Sequence, residues 1–74
     1  LSTSGNSKNV IHAIEKSKSL NMNSIGMLGR DGGELKGLCD QAIVIRSDCT
    51  ARIQEMHIMI GHCVCAYVES NLSL

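Results

Sequence analysis

The sequence predicts an α/β fold built on a parallel sheet. Helical and strand-like segments alternate along the 74 residues, and the two strand-like segments are short apolar runs without polar alternation. Continuous apolar runs are typical of parallel strands covered on both faces, and alternation of strands with helices is typical of layered α/β folds. The only aromatic residue is Tyr67. A core with so few aromatic side chains indicates that the chain is part of a larger protein or of an obligate oligomer.

The predicted elements begin after a hydroxyl- and glycine-rich segment. From Ser7, a suitable N-cap, apolar periodicity predicts a helix to about Leu20, which Asn21 ends in the left-handed conformation. Leu1 should be the tail of a preceding strand. The remaining predicted elements are a strand, a glycine-rich loop, a short helix, a second strand and a last helix capped by Thr50, at residues 24–28, 29–33, 34–39, 42–45 and 51–69.

Composition excludes several classes of partner. Seven basic residues balance seven acidic ones, so there is no electrostatic footprint for nucleic acid or an anionic membrane. The longest stretch without a charged residue, Met56 to Val68, is shorter than the roughly 20 residues of a membrane span. No targeting segment is visible, and four cysteines without a disulfide spacing predict buried, reduced thiols. We therefore expect a cytoplasmic protein that contacts neither nucleic acid nor membrane.

The last predicted helix is apolar on nearly all sides. A helix of this kind is buried on most of its surface, and 74 residues are too few to bury it. A partner subunit or a further part of the protein must cover it.

The serine loop, residues 2–7, places hydroxyl groups at a strand-to-helix junction. Backbone N–H groups and the helix dipole favour an anion at such a junction. The loop lacks the Gly-Lys-[Ser/Thr] ending of a nucleotide-binding P-loop, so one phosphate monoester is the ligand it would suit. An ordinary serine-rich capping loop fits the same composition. The hydroxyl residues are Ser2, Thr3, Ser4 and Ser7.

Polar residues of the last helix form a second group of candidates. His57 and His62 lie about 140° apart around the helix, so they cannot easily serve one metal ion. Gln54 and His62 lie about 12 Å apart along the axis and would meet one ion only by reaching toward each other or from different subunits. Each histidine is more typical of a satisfied core or interface residue. His12 should be a surface residue, and the glycine loop, residues 29–33, a tight turn.

Three segments carry a resemblance to a known family. Residues Ser2–Val10 resemble the phosphosugar-binding loop of the sugar isomerase (SIS) domain. Gly29–Leu35 and Thr50–His57 narrow the resemblance to the phosphoheptose isomerases, whose members are much longer. The resemblance implies that residues 1–74 are the C-terminal part of a single SIS domain, a three-layer α/β/α sandwich with a parallel sheet.

The same resemblance implies roles for individual residues. Gln54 matches a residue that contacts both substrate and zinc, and His62 matches a zinc ligand that is also a proposed catalytic acid/base. The family's other zinc ligands, a His and a Glu, lie on a helix outside this chain, and some members have Asp where this chain has Ala51. The substrate phosphate would be held by the four hydroxyl residues Ser2, Thr3, Ser4 and Ser7.

The function implied is isomerisation of sedoheptulose 7-phosphate to D-glycero-D-manno-heptose 7-phosphate for lipopolysaccharide heptose, by a zinc-dependent homotetramer with shared sites. The chain alone should be inactive. One alternative is a non-catalytic SIS protein that binds the bacterial replication initiator; it shares the Arg52–His57 segment but lacks His62. A phosphosugar-sensing regulatory domain is another, and it would need neither Gln54 nor His62. The presence of His62 favours the enzyme.

Overall fold

The computed structural model describes residues 1–72. The predicted order of elements is confirmed. Strand β1 is shifted by one residue, β2 begins one residue earlier, and the short helix α2 is reduced to one turn. Helix α3 begins at Thr50, the residue predicted to cap it, and extends further at its carboxyl end. The elements are α1 (Lys8–Ser19), β1 (Ile25–Gly29), α2 (Leu35–Leu38), β2 (Gln41–Ile45) and α3 (Thr50–Leu72).

The sheet is parallel, as predicted. Strands β1 and β2 pair with Leu28 opposite Val44. On the other edge of β1, Ser2 forms an isolated parallel bridge with Leu28, and the Ser2 N–H donates to the Met27 carbonyl at 3.0 Å. Ser2 therefore lies beside β1. That Leu1 is the tail of a preceding strand stays a prediction.

Helices cover both faces of β1. Leu28 packs with Ile11 of α1 and Leu35 of α2 in one buried cluster. The next residue, Gly29, faces the Ile53 side chain of α3, since successive residues of a strand point to opposite faces. Helices α1 and α2 thus lie on one side of the sheet and α3 on the other. The three-layer α/β/α arrangement is confirmed.

The buried part of the chain is small and centres on β1. Leu28, Leu35 and Ile53 are almost fully buried. Strand β2 does not follow the prediction of cover on both faces, because its first three residues are exposed, including Ile43. Within this chain, large apolar side chains along α3 are also exposed: Met56, Ile58, Met59, Val64, Tyr67, Val68 and Leu72.

The prediction of buried cysteines was wrong. The thiols are free, as expected, but Cys49, Cys63 and Cys65 are exposed and Cys39 is half-buried. The reason is that Cys63 and Cys65 lie on the uncovered part of α3, while Cys49 lies in the loop before it.

Two local expectations are confirmed. Asn21 has φ 57°, the left-handed conformation predicted just beyond α1. His12 is exposed on α1. Among residues 1–72, no helix combines the length and the apolar character needed to cross a bilayer.

Candidate functional site

Three loops leave the same edge of the sheet. The serine loop follows the Ser2 bridge, the glycine loop follows β1, and residues 46–49 follow β2. This is the carboxyl edge of the parallel strands, where open α/β sheets bind their ligands.

Ser7 occupies the N-cap position of α1 without capping it. Its backbone is extended (φ −66°, ψ 118°), yet its side chain makes no hydrogen bond to a helix amide. The Ser7 hydroxyl instead lies 2.9 Å from the Ser2 hydroxyl. The prediction of Ser7 as N-cap is therefore correct in position only. The first amides of α1 keep no side-chain cap, which is the arrangement that favours an anion.

The Ser2 hydroxyl fixes the shape of the serine loop. Ser2 is 5% exposed, and its Oγ accepts a hydrogen bond from the Gly5 N–H at 3.1 Å. Because the same oxygen also bonds the Ser7 hydroxyl, these two hydroxyls are held in one orientation relative to the start of α1.

A cleft of about 460 Å³, here called the serine cleft, lies between the serine loop and α3. It brings three of the four predicted phosphate-binding hydroxyls together with Gln54. The fourth, Ser4, lines a different cleft of about 490 Å³ beside Arg30 and Arg46, and its Oγ accepts from the Asn6 N–H at 3.0 Å. The serine cleft is lined by Leu1, Ser2, Thr3, Ser7, Gln54, His57 and Ile58.

His57 is the buried polar anchor of α3. It is 3% exposed, and its Nε2 lies 2.8 Å from the Leu28 carbonyl oxygen of β1. A buried imidazole with a hydrogen-bond partner is the satisfied core residue that the sequence pattern favoured. The anchor holds the first turns of α3 against β1, which places Gln54 over the serine cleft.

His62 lies apart from this group. It is exposed and does not line the serine cleft. Within residues 1–72, no three His, Cys, Asp or Glu side chains come together in a way that could hold a metal ion. A zinc site needs about four nitrogen, oxygen or sulfur ligands, so the donors of this chain do not form one by themselves.

Sequence reasoning missed the role of the glycine loop. The loop is the predicted tight turn: the Gly32 N–H donates to the Gly29 carbonyl at 2.9 Å, and Arg30, Gly32 and Gly33 all have positive φ. It also packs directly on the serine loop, where a Cβ on Gly5 would collide with the Gly32 carbonyl. The signal available in the sequence was the pair of adjacent glycines, which permits backbone-to-backbone approach.

Comparison with known proteins gives consistent matches over nearly the whole chain. No protein-family model matches it. A phosphoheptose isomerase of Nitratiruptor sp. is 54% identical over 71 residues, covering 96% of this chain and 38% of the relative. A phosphoheptose isomerase of Helicobacter pylori is 51% identical over 73 residues, covering 99% of this chain and 38% of the relative. A phosphoheptose isomerase of Leptospira biflexa is 54% identical over 72 residues, covering 97% of this chain and 37% of the relative.

A solved structure agrees. The phosphoheptose isomerase of Francisella tularensis superposes with a TM-score of 0.88 at 36% identity, covering 93% of this chain and 39% of the solved chain. This chain thus spans less than two-fifths of the length of the proteins it matches. The resemblance carried by the serine loop, the glycine loop and the start of α3 is confirmed, and the chain belongs to the phosphoheptose isomerase family.

Proposed function

We propose that the protein containing this chain is an aldose–ketose isomerase that converts sedoheptulose 7-phosphate to D-glycero-D-manno-heptose 7-phosphate. The observation that supports the proposal most is the serine cleft, which sets three loop hydroxyls against Gln54. The names of the relatives support the choice of substrate.

The phosphate end of the substrate would lie at the start of α1. The hydroxyls of Ser2, Thr3 and Ser7 can donate to phosphate oxygens, and the uncapped amides of the first turn add partial positive charge. Ser4, on the other side of the loop, would join them only after a rotation of its side chain away from the Asn6 amide. Binding energy from this remote phosphate orients the reacting carbons.

The reaction itself moves a proton between C1 and C2 through an enediol. It requires a base, an acid and a group that stabilises the developing oxyanion. From this chain, we propose Gln54 as a contact to the sugar and His62 as an acid/base group. Ala51 offers no carboxylate. The resemblance places the proposed base, a Glu, on a helix outside residues 1–74.

Zinc is part of the proposal, with donors from more than this chain. Gln54 and His62 would supply two ligands, and the resemblance places the others on a helix outside residues 1–74. The described residues do not complete the site by themselves.

We further propose a cytoplasmic homotetramer acting in the supply of heptose for lipopolysaccharide. The support for assembly is the apolar surface of α3, which carries seven exposed large apolar side chains within this chain. An uncovered apolar helix face of that extent is typical of a subunit interface.

The test uses the full-length protein with sedoheptulose 7-phosphate and zinc in heavy water, followed by NMR. The expected result is an aldose 7-phosphate with solvent deuterium at C2. His62→Ala should abolish turnover, whereas His12→Ala, an exposed histidine of α1, serves as the matched control and should keep it. A folded, zinc-loaded protein that releases no aldose would contradict the proposal.

A further inference from the structure

The serine loop is not held by its own hydrogen bonds alone. Two consecutive amides at the start of α2 donate to two consecutive loop residues: the Glu34 N–H to Asn6 Oδ1 and the Leu35 N–H to the Gly5 carbonyl, both at 2.9 Å. These bonds join segments that lie 28 to 30 residues apart in the sequence.

Two glycines make the approach close enough for these bonds. Gly5 has φ +73° and lies against the Gly32 carbonyl, and Gly33 has φ +54° and lies against the Asn6 side chain. Within the glycine loop, the Gly33 N–H donates to Asp31 Oδ1 at 2.9 Å. The glycine loop leads directly into the two amides that donate to the serine loop.

The glycine loop also contacts the first residue of α3, the helix that carries Gln54. The Arg30 guanidinium donates to the Asp48 carbonyl and to Thr50 Oγ1, each at 3.0 Å, and Thr50 is the first residue of α3. The glycine loop thus packs against the serine loop and also bonds the helix that carries Gln54. The hydrogen bonds to the serine loop come from the Glu34 and Leu35 amides that follow the glycine loop, and Asn6 supplies the one side-chain acceptor.

We propose that Asn6 is a positioning residue for phosphate binding. It does not line the serine cleft, so it acts through the loop and not by contact with a ligand there. Its bond to the Glu34 amide holds the turn between Gly5 and Ser7, and with it the Ser2–Ser7 hydroxyl pair at the start of α1. This inference rests on the proposed function of the loop as the phosphate site.

The hydrogen bond can be removed from either end. Asn6→Ala deletes the acceptor. Glu34→Pro deletes the amide donor, and the Glu34 φ of −63° suits proline. Glu34→Ala controls for loss of the carboxylate. Asn23→Ala is the matched control for Asn6→Ala, because Asn23 is exposed and its side chain bonds no other described residue.

The readouts, in the full-length protein, are the affinity for inorganic phosphate by ³¹P NMR titration and the KM and kcat for sedoheptulose 7-phosphate. Asn6→Ala and Glu34→Pro should each weaken phosphate binding and raise KM by about fivefold to tenfold, with a smaller change in kcat. The double variant should bind phosphate about as tightly as either single variant, because both substitutions remove the same hydrogen bond. Asn23→Ala and Glu34→Ala should match the parent protein.

Two results would overturn the inference. One is an unchanged phosphate affinity in a folded Asn6→Ala variant. The other is additive losses in the double variant, which would mean that the two changes act separately. If the parent protein binds phosphate but turns over no sugar, the proposed isomerase fails while the phosphate titration still tests Asn6. If Asn6→Ala does not fold, Glu34→Pro carries the same test.

Discussion

The loop edge of the sheet and the carboxyl half of α3 differ in how completely this chain builds them. At the loop edge, backbone and side-chain hydrogen bonds join the serine loop to the start of α2, and Ser2 and Leu28 are buried. From His62 to Leu72, every residue of α3 is exposed. The proposed phosphate side of the site is therefore formed inside this chain, whereas the proposed side that contains His62 would need cover and ligands from elsewhere.

His57 and His62 mark the boundary between these regions. They lie five residues apart on one helix, but only His57 is buried and bonded to the sheet. Burial on β1 ends at about Ile60, which is half-buried. A histidine before that point serves the fold of the chain, and one beyond it is free to act on a ligand or a partner.

The largest effect is expected from a charge on the exposed face of α3. Val64→Asp should dissociate the proposed tetramer of the full-length protein, because an unpaired charge buried in an interface costs about 3 to 5 kcal/mol. Size-exclusion chromatography with light scattering measures it. His12→Asp, on the exposed side of α1, is the control and should leave the mass unchanged. A Val64→Asp protein that remains tetrameric would show that this face is covered by something else.

The next largest effect concerns the contact between the two loops. Gly5→Ala should lower the free energy of unfolding by about 3 kcal/mol, since Gly5 has φ +73° and its Cβ would collide with the Gly32 carbonyl. Urea denaturation of the full-length protein measures the loss. Gly37→Ala is the control: nothing lies within 4 Å of its added Cβ, so the protein should be equally or slightly more stable. Equal losses in both variants would contradict the close approach.

His57→Leu should destabilise the protein by about 1 to 2 kcal/mol, because it removes the buried hydrogen bond between α3 and the Leu28 carbonyl. His62→Leu should change the free energy of unfolding by less than about 0.5 kcal/mol while abolishing turnover. Urea denaturation and the isomerase assay separate the two histidines. The boundary within α3 would be wrong if His62→Leu destabilised the protein as much as His57→Leu.

The smallest effect on stability is expected at the hydrogen bonds that join Arg30 of the glycine loop to Asp48 and Thr50. Arg30→Ala removes two hydrogen bonds at an exposed site and should cost about 1 kcal/mol. Arg30→Gly should cost less, because Arg30 has φ 56°, a conformation that glycine adopts without strain. Thermal denaturation ranks the two variants, with Arg46→Ala as an exposed control. If Arg30→Gly were less stable than Arg30→Ala, backbone strain at position 30 would be contradicted.

Much of the fold follows from the sequence. The apolar runs at β1 and β2 and the period of α1 predict the elements, and Asn21 marks the end of α1. Local patterns of this kind reflect local conformation, so they can be read along the chain. The cysteines were placed wrongly because apolar neighbours in the sequence do not show whether a helix face is covered within the chain.

The site could be predicted only in part. Hydroxyls at a strand-to-helix junction indicate an anion site, and three of them do line the serine cleft with Gln54. The Ser4 hydroxyl lies away from that cleft and accepts a hydrogen bond from the backbone N–H of Asn6. No pattern of residue types shows this bond. The bond between Asn6 and the Glu34 amide joins distant segments and needed the fold to be seen.

The central claim is that this chain forms the phosphate side of the site by itself and only a share of the side that contains His62. The most direct measurement is the affinity of inorganic phosphate for full-length Ser2→Ala and His62→Ala, by ³¹P NMR titration. Ser2→Ala should weaken phosphate binding by about tenfold or more, and His62→Ala should leave it within about twofold of the parent protein. Equal weakening by the two variants, or none by Ser2→Ala, would contradict the claim.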